Sequence, residues 1–350
     1  QIFRASFGQV TWLRVLLPIS SAVTIMHLLL SAALLSLAAA GVPKWIPGDY
    51  ATIPMKGVEG EMPMPLVGLG TWQYNSSVAE AALLAAFKIG YRHVDTALGY
   101  GNQVGVGAAL KKSGLHRQQY FVTSKIPGGL NASTTEASLN QALEELGLEY
   151  VDLMLIHFPA SWDMKTAGAA QRQEEWLALE KFAKAGKARA IGVSHYCQSH
   201  IQDVLSVATL PIALNQVMYH VGMGMSPDLG SDYKNYVQSL GIVYMSFSTL
   251  CGPCDGDDAK ELITGPLVTE IGKAHNVTGA QVALRWAVQQ GIPVVPKSKH
   301  PKHLAEDFDL FSFELTQLEM ERLTSAKTPA TGRDDSGDCE VGSAAGSMVV

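Results

Sequence analysis

The chain is 350 residues long, and its 26 lysines and arginines stand against 32 aspartates and glutamates, a formal charge of −6. Without a net basic field the chain lacks the long-range attraction that a general nucleic-acid binder needs, and that class is excluded. Four cysteines in a chain of this length are too few for a fold held together by disulfides.

The first 41 residues differ from the rest of the chain in composition. Within the stretch 15–41 the only strongly polar side chain is His27, and small residues follow the apolar run. This pattern predicts a secretory signal peptide with cleavage near Ala40, although the run is also long enough for a retained membrane anchor. The predicted location is the secretory pathway or the cell exterior if the segment is a signal peptide, and the cytoplasm otherwise. Three sequons are compatible with secretion: Asn75, Asn131 and Asn276.

From residue 65 onward, short apolar or β-branched runs alternate with segments of helical spacing. The predicted strands are LVGLGT, HVDT, YFVTSK, VDLMLIH, ARAIGVS, IALNQV, VYMSF and IPVVPK, and the predicted helices include 78–89, 134–146, 174–185 and 279–290. Strands that alternate with helices imply parallel pairing through right-handed crossovers. The pattern predicts an α/β fold, a (β/α)8 TIM barrel over residues 55–328, followed by a flexible tail at 329–350.

A doubly wound sheet is the alternative architecture. Such a fold carries a glycine-rich dinucleotide turn after its first strand, which then opens a helix. GLGTWQ follows the first predicted strand here, but it lacks the third glycine and the helix opening. The closed barrel is therefore favoured, and in that fold the chemistry lies at the carboxyl ends of the strands.

Four ionisable residues of four types fall at neighbouring strand ends. Asp95 ends the second strand, Tyr100 follows it, Lys125 ends the third and His157 ends the fourth. A lone strand-end aspartate more often caps the next helix, and a lone lysine there is more often solvated. Four such residues at one rim predict a shared catalytic pocket.

The motifs GYRHVDTALGYGNQVGVG, LMLIHFP, NQVMYH and VVPKS resemble those of the aldo-keto reductase family in order and spacing, over residues 58–328. The resemblance implies NADPH-dependent reduction of aldehydes or ketones. Tyr100 would be the general acid, with its pKa lowered by the Lys125 ammonium. Asp95 would hold Lys125, and His157 would orient the carbonyl. No spacing typical of metal ligands is found near these residues.

The resemblance also implies a nicotinamide site formed by residues after strands five to eight. Ser194, His195 and Gln216 would hold the carboxamide, Phe247 would pack on the ring, and PKSKHPKH would bind phosphate. The full set of implied cofactor-binding residues is Ser194, His195, Gln216, Phe247, Ser248, Leu250, Lys297, Ser298 and His303.

Three residues depart from the family pattern. His195 stands where the family usually has asparagine, and His303 and Asp307 stand where arginine and asparagine are usual. Histidine cannot copy the bidentate fork that arginine offers to phosphate. We therefore expect NADPH to be used, with NADH also accepted and with a weaker preference than a typical member shows.

The substrate is not fixed by the sequence, beyond a small-molecule carbonyl. Trp72, Phe158 and Trp162 predict an aromatic wall around the pocket mouth, and each could equally be packing. A monomer is expected.

Two other functions stay open. CGPC at Cys251 and Cys254 resembles a thiol oxidoreductase motif, but acidic residues follow it, and a regulatory or structural disulfide is favoured over that activity. A cofactor-binding regulatory subunit of the same fold is the other alternative, against which the complete set of four strand-end residues argues.

Overall fold

The computed structural model describes residues 51–161, 168–224, 231–251 and 260–329. The predicted signal or anchor segment 1–41, Trp162, Cys254 and nearly all of the predicted tail 329–350 lie outside these ranges. Within the described part of the chain, no helix combines the length and the apolar composition needed to cross a bilayer.

An antiparallel hairpin precedes a parallel sheet of seven strands that pair in chain order. The hairpin consists of β1 (Thr52–Gly57) and β2 (Gly60–Pro65). The parallel strands are β3 (Leu69–Gly70), β4 (His93–Asp95), β5 (Phe121–Ile126), β6 (Val151–Ile156), β7 (Ala188–Ser194), β8 (Leu214–Met218) and β9 (Val243–Phe247). Each corresponds to one of the predicted strands.

Val294 closes the sheet into a barrel. It forms parallel bridges both to Val67, just before β3, and to Ser246 in β9. The predicted eighth run therefore occupies the eighth strand position, and the predicted (β/α)8 barrel is confirmed. Pairing at this position is short because Pro293 and Pro296 have no backbone N–H to donate to a neighbouring strand.

The hairpin inserts apolar side chains into one end of the barrel. Its Met55, Met62 and Met64 are buried and join a cluster supplied by the strands: Phe121, Leu153, Leu155, Ala190, Ala213, Leu214, Val243 and Met245. Sequence reasoning missed this hairpin. Three prolines fall within its strands, and proline argues against a strand because it cannot donate to a sheet.

The helices pack around the outside of the barrel. They are α1 (Ser76–Ile89), α2 (Gln103–Lys112), α3 (Ala132–Leu146), α4 (Ala169–Lys184), α5 (Gln198–Leu205), α6 (Ser231–Ser239), α7 (Glu261–Thr264), α8 (Pro266–His275), α9 (Gly279–Val288), α10 (Pro301–Phe308) and α11 (Gln317–Thr324). The four predicted helices named above all form, and three of them begin two to five residues before the predicted start.

Each sequon asparagine caps a helix. Asn75 Oδ1 accepts a hydrogen bond from Val78 N at 2.9 Å at the start of α1. Asn131 Oδ1 does the same for Thr134 N at 2.9 Å at the start of α3. Asn276 ends α8 in the left-handed conformation, with φ 58°. Asparagine is favoured at both kinds of cap, so these residues have a structural role whether or not they carry sugar.

Candidate active site

The four predicted catalytic residues meet at the carboxyl ends of the strands. Asp95 is the last residue of β4, Lys125 lies in β5, and His157 directly follows β6. Tyr100 ends a short 3₁₀ helix, Leu98–Tyr100, in the loop after β4. The parallel register of β4, β5 and β6 brings these positions to one rim, as the barrel rule predicts.

Lys125 is the centre of the group. Its ammonium is fully buried and forms an ion pair with Asp95 Oδ1. It also donates to the backbone oxygen of Thr96 at 3.1 Å and to the Tyr100 hydroxyl at 3.3 Å. Burial alone would lower the pKa of Lys125, but the Asp95 carboxylate and Tyr100 raise it above its usual value. The lysine therefore stays charged inside the barrel.

The Tyr100 hydroxyl accepts from Lys125, and the residue is half-buried. Burial raises the pKa of its phenol, while the Lys125 charge and hydrogen bond oppose the rise without cancelling it. The sequence-based expectation of a lowered pKa is therefore wrong for this structure, because desolvation of the phenolate outweighs the attraction of the lysine. The phenol keeps its proton at neutral pH.

His157 faces Tyr100, with the two ring centres 5.6 Å apart in an edge-on arrangement. Burial, Lys125 and His195 all lower the pKa of its imidazole well below the usual value. The ring is therefore neutral at physiological pH, and one nitrogen donates while the other accepts. A neutral imidazole beside a protonated phenol offers two hydrogen-bond donors to one oxygen atom.

Three predicted carboxamide-binding residues lie together at the ends of β7 and β8. Ser194 Oγ donates to the backbone oxygen of Gln216 at 2.8 Å. His195 Nδ1 lies 2.9 Å from the backbone oxygen of His157. Because that oxygen can only accept, Nδ1 carries the proton in this contact.

His195 adopts a left-handed backbone conformation, with φ 61°. Asparagine and histidine are both enriched in this conformation among non-glycine residues. The departure from the family pattern at this position is therefore compatible with the turn that the backbone makes there.

Aromatic rings continue from His157 across the rim. The Phe158 ring stacks on His157 with centres 4.5 Å apart and lies 4.3 Å from His195. His195 in turn lies 4.8 Å from Phe247, the last residue of β9. These four rings form one aromatic surface that connects the tyrosine side of the rim with the predicted cofactor side.

Gln216 has a contact that the sequence did not predict. Its side-chain amide donates to Asp95 Oδ2 at 2.8 Å, so that both oxygens of this carboxylate are occupied. The amide also lies 3.3 Å from the sulfur of Met245. Gln216 thus joins the predicted catalytic group to the predicted carboxamide group. No local sequence signal reveals this contact, because the two residues are 121 positions apart.

The basic segment after the eighth strand position contains Lys297, whose ammonium donates to Gln73 Oε1 at 2.8 Å and lies 5.5 Å from the Tyr74 ring centre. No carboxylate of the described residues forms an ion pair with it. Partial burial lowers its pKa. Sequence reasoning missed Gln73 and Tyr74, although both directly follow Trp72, which is half-buried in the loop after β3.

The other predicted cofactor residues follow β9 or the eighth strand position. Ser248 has a left-handed φ of 49°, and Leu250 packs against the main core. Ser298 Oγ accepts from the backbone N–H of His300 at 3.2 Å. His303 is exposed on α10, with its ring 5.4 Å from that of His300.

Two further observations concern the alternative chemistries. Cys251 is buried and disulfide-bonded, whereas Cys254 is not among the described residues. Across the described ranges, no group of three or more histidine, cysteine, aspartate or glutamate side chains is arranged to hold a metal ion.

Comparison with known proteins identifies similar chains along most of the length. A family model described as Aldo/keto reductase family matches residues 66–328. Glyoxal reductase of Bacillus subtilis (strain 168) is 36% identical over 262 residues, which are 74% of this chain and 88% of the relative. Morphine 6-dehydrogenase of Pseudomonas putida is 32% identical, over 79% of this chain and 92% of the relative.

Solved structures agree with the sequence comparison. An aldo-keto reductase from a Medee basin deep-sea metagenome library superposes with a TM-score of 0.70 at 32% identity, covering 78% of this chain and 94% of its own. The aldose reductase of Schistosoma japonicum gives a TM-score of 0.68 at 29% identity, covering 79% and 92%.

Proposed function

The chain belongs to the aldo/keto reductase family of oxidoreductases, and we propose that it reduces aldehydes or ketones to alcohols with NADPH. The observation that carries this proposal is the buried ammonium of Lys125, which contacts Asp95 and the Tyr100 hydroxyl together. Such an arrangement suits a phenol that must give up a proton during the reaction, because the ammonium stabilises the phenolate that remains.

Each residue of the group has a distinct task. Tyr100 gives its proton to the carbonyl oxygen as negative charge develops there. Neutral His157 donates a second hydrogen bond to the same oxygen and fixes its position. Asp95 keeps Lys125 charged and in place through the buried ion pair. Gln216 orients Asp95 from the opposite side.

The residues on the other side of the rim fit a nicotinamide cofactor. A serine hydroxyl, an imidazole and a side-chain amide offer donors and acceptors matched to a carboxamide, and the Phe247 ring offers an apolar face to an aromatic ring. Bound NADPH supplies the hydride. The protein's part is to hold the reacting carbon beside Tyr100 and His157 in one orientation.

Lys297 is the proposed phosphate-binding residue. Its ammonium has only an amide oxygen and an aromatic ring as partners in the described part of the chain, so that it can take an anion without breaking an ion pair. Asp307 on α10 is buried and acts electrostatically on the same Tyr74, and burial with Glu306 raises the pKa of its carboxyl to about 7. A carboxylate there and an exposed histidine at His303 favour a weakened preference for NADPH over NADH.

The proposed substrate class is a small aldehyde or ketone with apolar or aromatic character. The half-buried Trp72 and Phe158 supply apolar surface at the rim. The relatives named glyoxal reductase and morphine 6-dehydrogenase act on small molecules of different size. For this chain we infer from them only that the substrate is a small molecule, without a preferred size.

A panel of aldehydes and ketones with NADPH, followed by absorbance at 340 nm as the reduced cofactor is consumed, tests the proposal. We expect turnover with at least one simple aromatic aldehyde. Cofactor binding without turnover on any carbonyl would favour the regulatory-subunit alternative. Disulfide reductase activity without carbonyl reduction would favour the thiol oxidoreductase alternative.

A further inference from the structure

Glu175 on α4 is fully buried. Its Oε1 accepts a short hydrogen bond from the backbone N–H of Leu130, in the loop that follows β5. Lys125 lies near the end of that same strand. The carboxyl therefore anchors a loop that begins beside the proposed catalytic lysine.

That loop packs directly on the next one around the barrel. A Cβ atom added to Gly128 would overlap the backbone oxygen of Phe158, and one added to Gly129 would overlap the backbone of Ser161. Gly129 also has φ of 74°, which favours glycine. The backbone of the loop after β5 is thus packed tightly against the backbone of the loop after β6.

Arg172, one turn before Glu175 on the same helix, holds the second loop itself. Its Nη1 donates to the backbone oxygen of Pro159 at 3.2 Å. Its Nε and Nη2 both donate to Asp203 Oδ2 on α5, at 2.9 and 2.6 Å. The guanidinium is buried and committed to these partners, and so it fixes the backbone beside Phe158.

Phe158 connects these loop contacts to the candidate active site, because its ring stacks on His157 and lies against His195. We propose that Glu175 and Arg172 are positioning residues that hold the two loops of the carbonyl-binding mouth, and that loss of the Glu175 proton releases these loops. This inference rests on the proposed function for the meaning of the mouth, although the contacts themselves do not depend on it.

The groups around the Glu175 carboxyl determine whether it keeps its proton. Its Oε2 has no hydrogen-bond partner, and neither has the Tyr196 hydroxyl, which is buried close enough for the Glu175 charge to raise the pKa of the phenol. Burial raises the pKa of Glu175 to about 8, against the opposing effects of the Leu130 and Gly129 backbone N–H groups and of Arg172.

Exposed Glu174, on the same helix, adds a smaller rise to the pKa of Glu175. The Arg172 charge is largely taken up by Asp203. An ionised Glu175 thus lacks compensation for one of its oxygens, and opening the loop so that water reaches this oxygen relieves the cost.

Steady-state kinetics of four proteins test the inference: wild type, Glu175→Ala, Glu175→Gln and the control Glu174→Gln. At pH 7 we expect Glu175→Ala to raise the KM for an aromatic aldehyde about tenfold, as for one lost hydrogen bond, with kcat little changed. Glu175→Gln should restore the wild-type KM because its amide oxygen still accepts from Leu130. The control should behave as wild type, because its amide oxygen can still accept from the backbone N–H of Ala132, which the Glu174 carboxylate binds at 2.8 Å.

The pH dependence separates a positioning role from a purely structural one. Between pH 7 and 9.5 the wild-type KM should rise toward that of Glu175→Ala as the carboxyl ionises, whereas the KM of Glu175→Gln should stay flat. A wild-type profile without this rise, or a Gln variant that retains it, would overturn the inference.

Amide hydrogen exchange gives a readout that needs no turnover. In the ligand-free protein, the peptide that contains Leu130 should exchange about tenfold faster in Glu175→Ala than in wild type, after correction for intrinsic rates. The wild-type peptide should lose protection above pH 8, and the Gln variant should not. Equal protection in all variants would refute the anchoring of the loop, even for a protein that reduced no carbonyl. Faster exchange without any change in KM would instead contradict the proposed place of this mouth in the reaction.

Discussion

The Lys125 ammonium lies 3.3 Å from the Tyr100 hydroxyl while it is also paired with Asp95. Because Lys125 contacts both residues, a buried positive charge lies directly beside a phenol. Most of the expected behaviour of the protein depends on this arrangement.

Replacement of Tyr100 by phenylalanine should remove the proposed general acid without changing the shape of the pocket. We expect kcat for carbonyl reduction to fall by at least about 100-fold, the usual contribution of a positioned proton donor. Cofactor affinity, measured by quenching of protein fluorescence, should remain within about twofold, because the proposed carboxamide-binding residues lie on other strands. Wild-type turnover by Tyr100→Phe would show that the mechanism is wrong.

The pH profile follows from the directions of two shifts. The Tyr100 pKa is raised and the His157 pKa is lowered, so that the phenol is protonated and the imidazole neutral throughout the range around neutrality. The kcat of carbonyl reduction at saturating aldehyde should therefore be flat from about pH 6 to about pH 9. Alcohol oxidation needs the phenolate instead, and its rate should rise about tenfold per pH unit over that range. A fall in reductive kcat near pH 7 would contradict this assignment.

Removal of the lysine alone should be costly for stability. In Lys125→Met the Asp95 carboxylate loses its buried partner, and we expect the free energy of unfolding to fall by about 3–5 kcal/mol. The double variant Asp95→Asn/Lys125→Met has no uncompensated charge and should recover a substantial part of that loss. Denaturant titration of the three proteins measures both effects. A double variant less stable than Lys125→Met would mean that the unpaired charge of Asp95 is not the main cause of the lower free energy of unfolding.

Most of the fold and the centre of the site follow from the sequence, because both depend on local patterns. Strand ends in a parallel barrel meet at one rim, and so Asp95, Tyr100, Lys125 and His157 could be placed together from their positions alone. The bond from Gln216 to Asp95 could not be predicted, because it depends on side-chain conformations across the barrel.

The sign of the Tyr100 shift was also beyond sequence reasoning. The lysine that lowers the pKa is visible in the sequence, but the larger effect of burial depends on how the whole rim packs. The same holds for Glu175, which reads as an ordinary helix residue beside Glu174, although one carboxyl is buried and the other exposed.

Lys297 should contribute more to NADPH than to NADH if it binds the 2′-phosphate. We expect Lys297→Met to lower kcat/KM with NADPH by about 10- to 100-fold, the value of one charged hydrogen bond, and with NADH by less than about threefold. Lys299→Met, which removes an exposed charge two residues further on, is the matched control and should have a small effect. The wild-type preference for NADPH should stay below about a thousandfold, or about 4 kcal/mol. Equal losses with both cofactors would place Lys297 at the pyrophosphate instead.

The buried carboxyl of Glu175 should make the stability of the whole protein depend on pH. Its pKa is raised from 4.5 to about 8 in the folded chain, so that the folded state holds a proton that the unfolded chain releases. Unfolding then releases a proton between these two values, and each step upward in pH favours the unfolded chain. Stability from this group is greatest below about pH 4.5, falls as pH rises to about 8, and is constant above that value.

Glu175→Gln does not titrate, so its free energy of unfolding relative to wild type should increase between pH 5 and pH 8 by roughly 2–4 kcal/mol. Urea titrations at the two pH values give this difference directly, and Glu174→Gln serves as the control whose difference should stay near zero. A Gln variant that gains nothing between pH 5 and pH 8 would mean that the Glu175 carboxyl is already ionised in the folded protein, because an ionised group would carry no such proton.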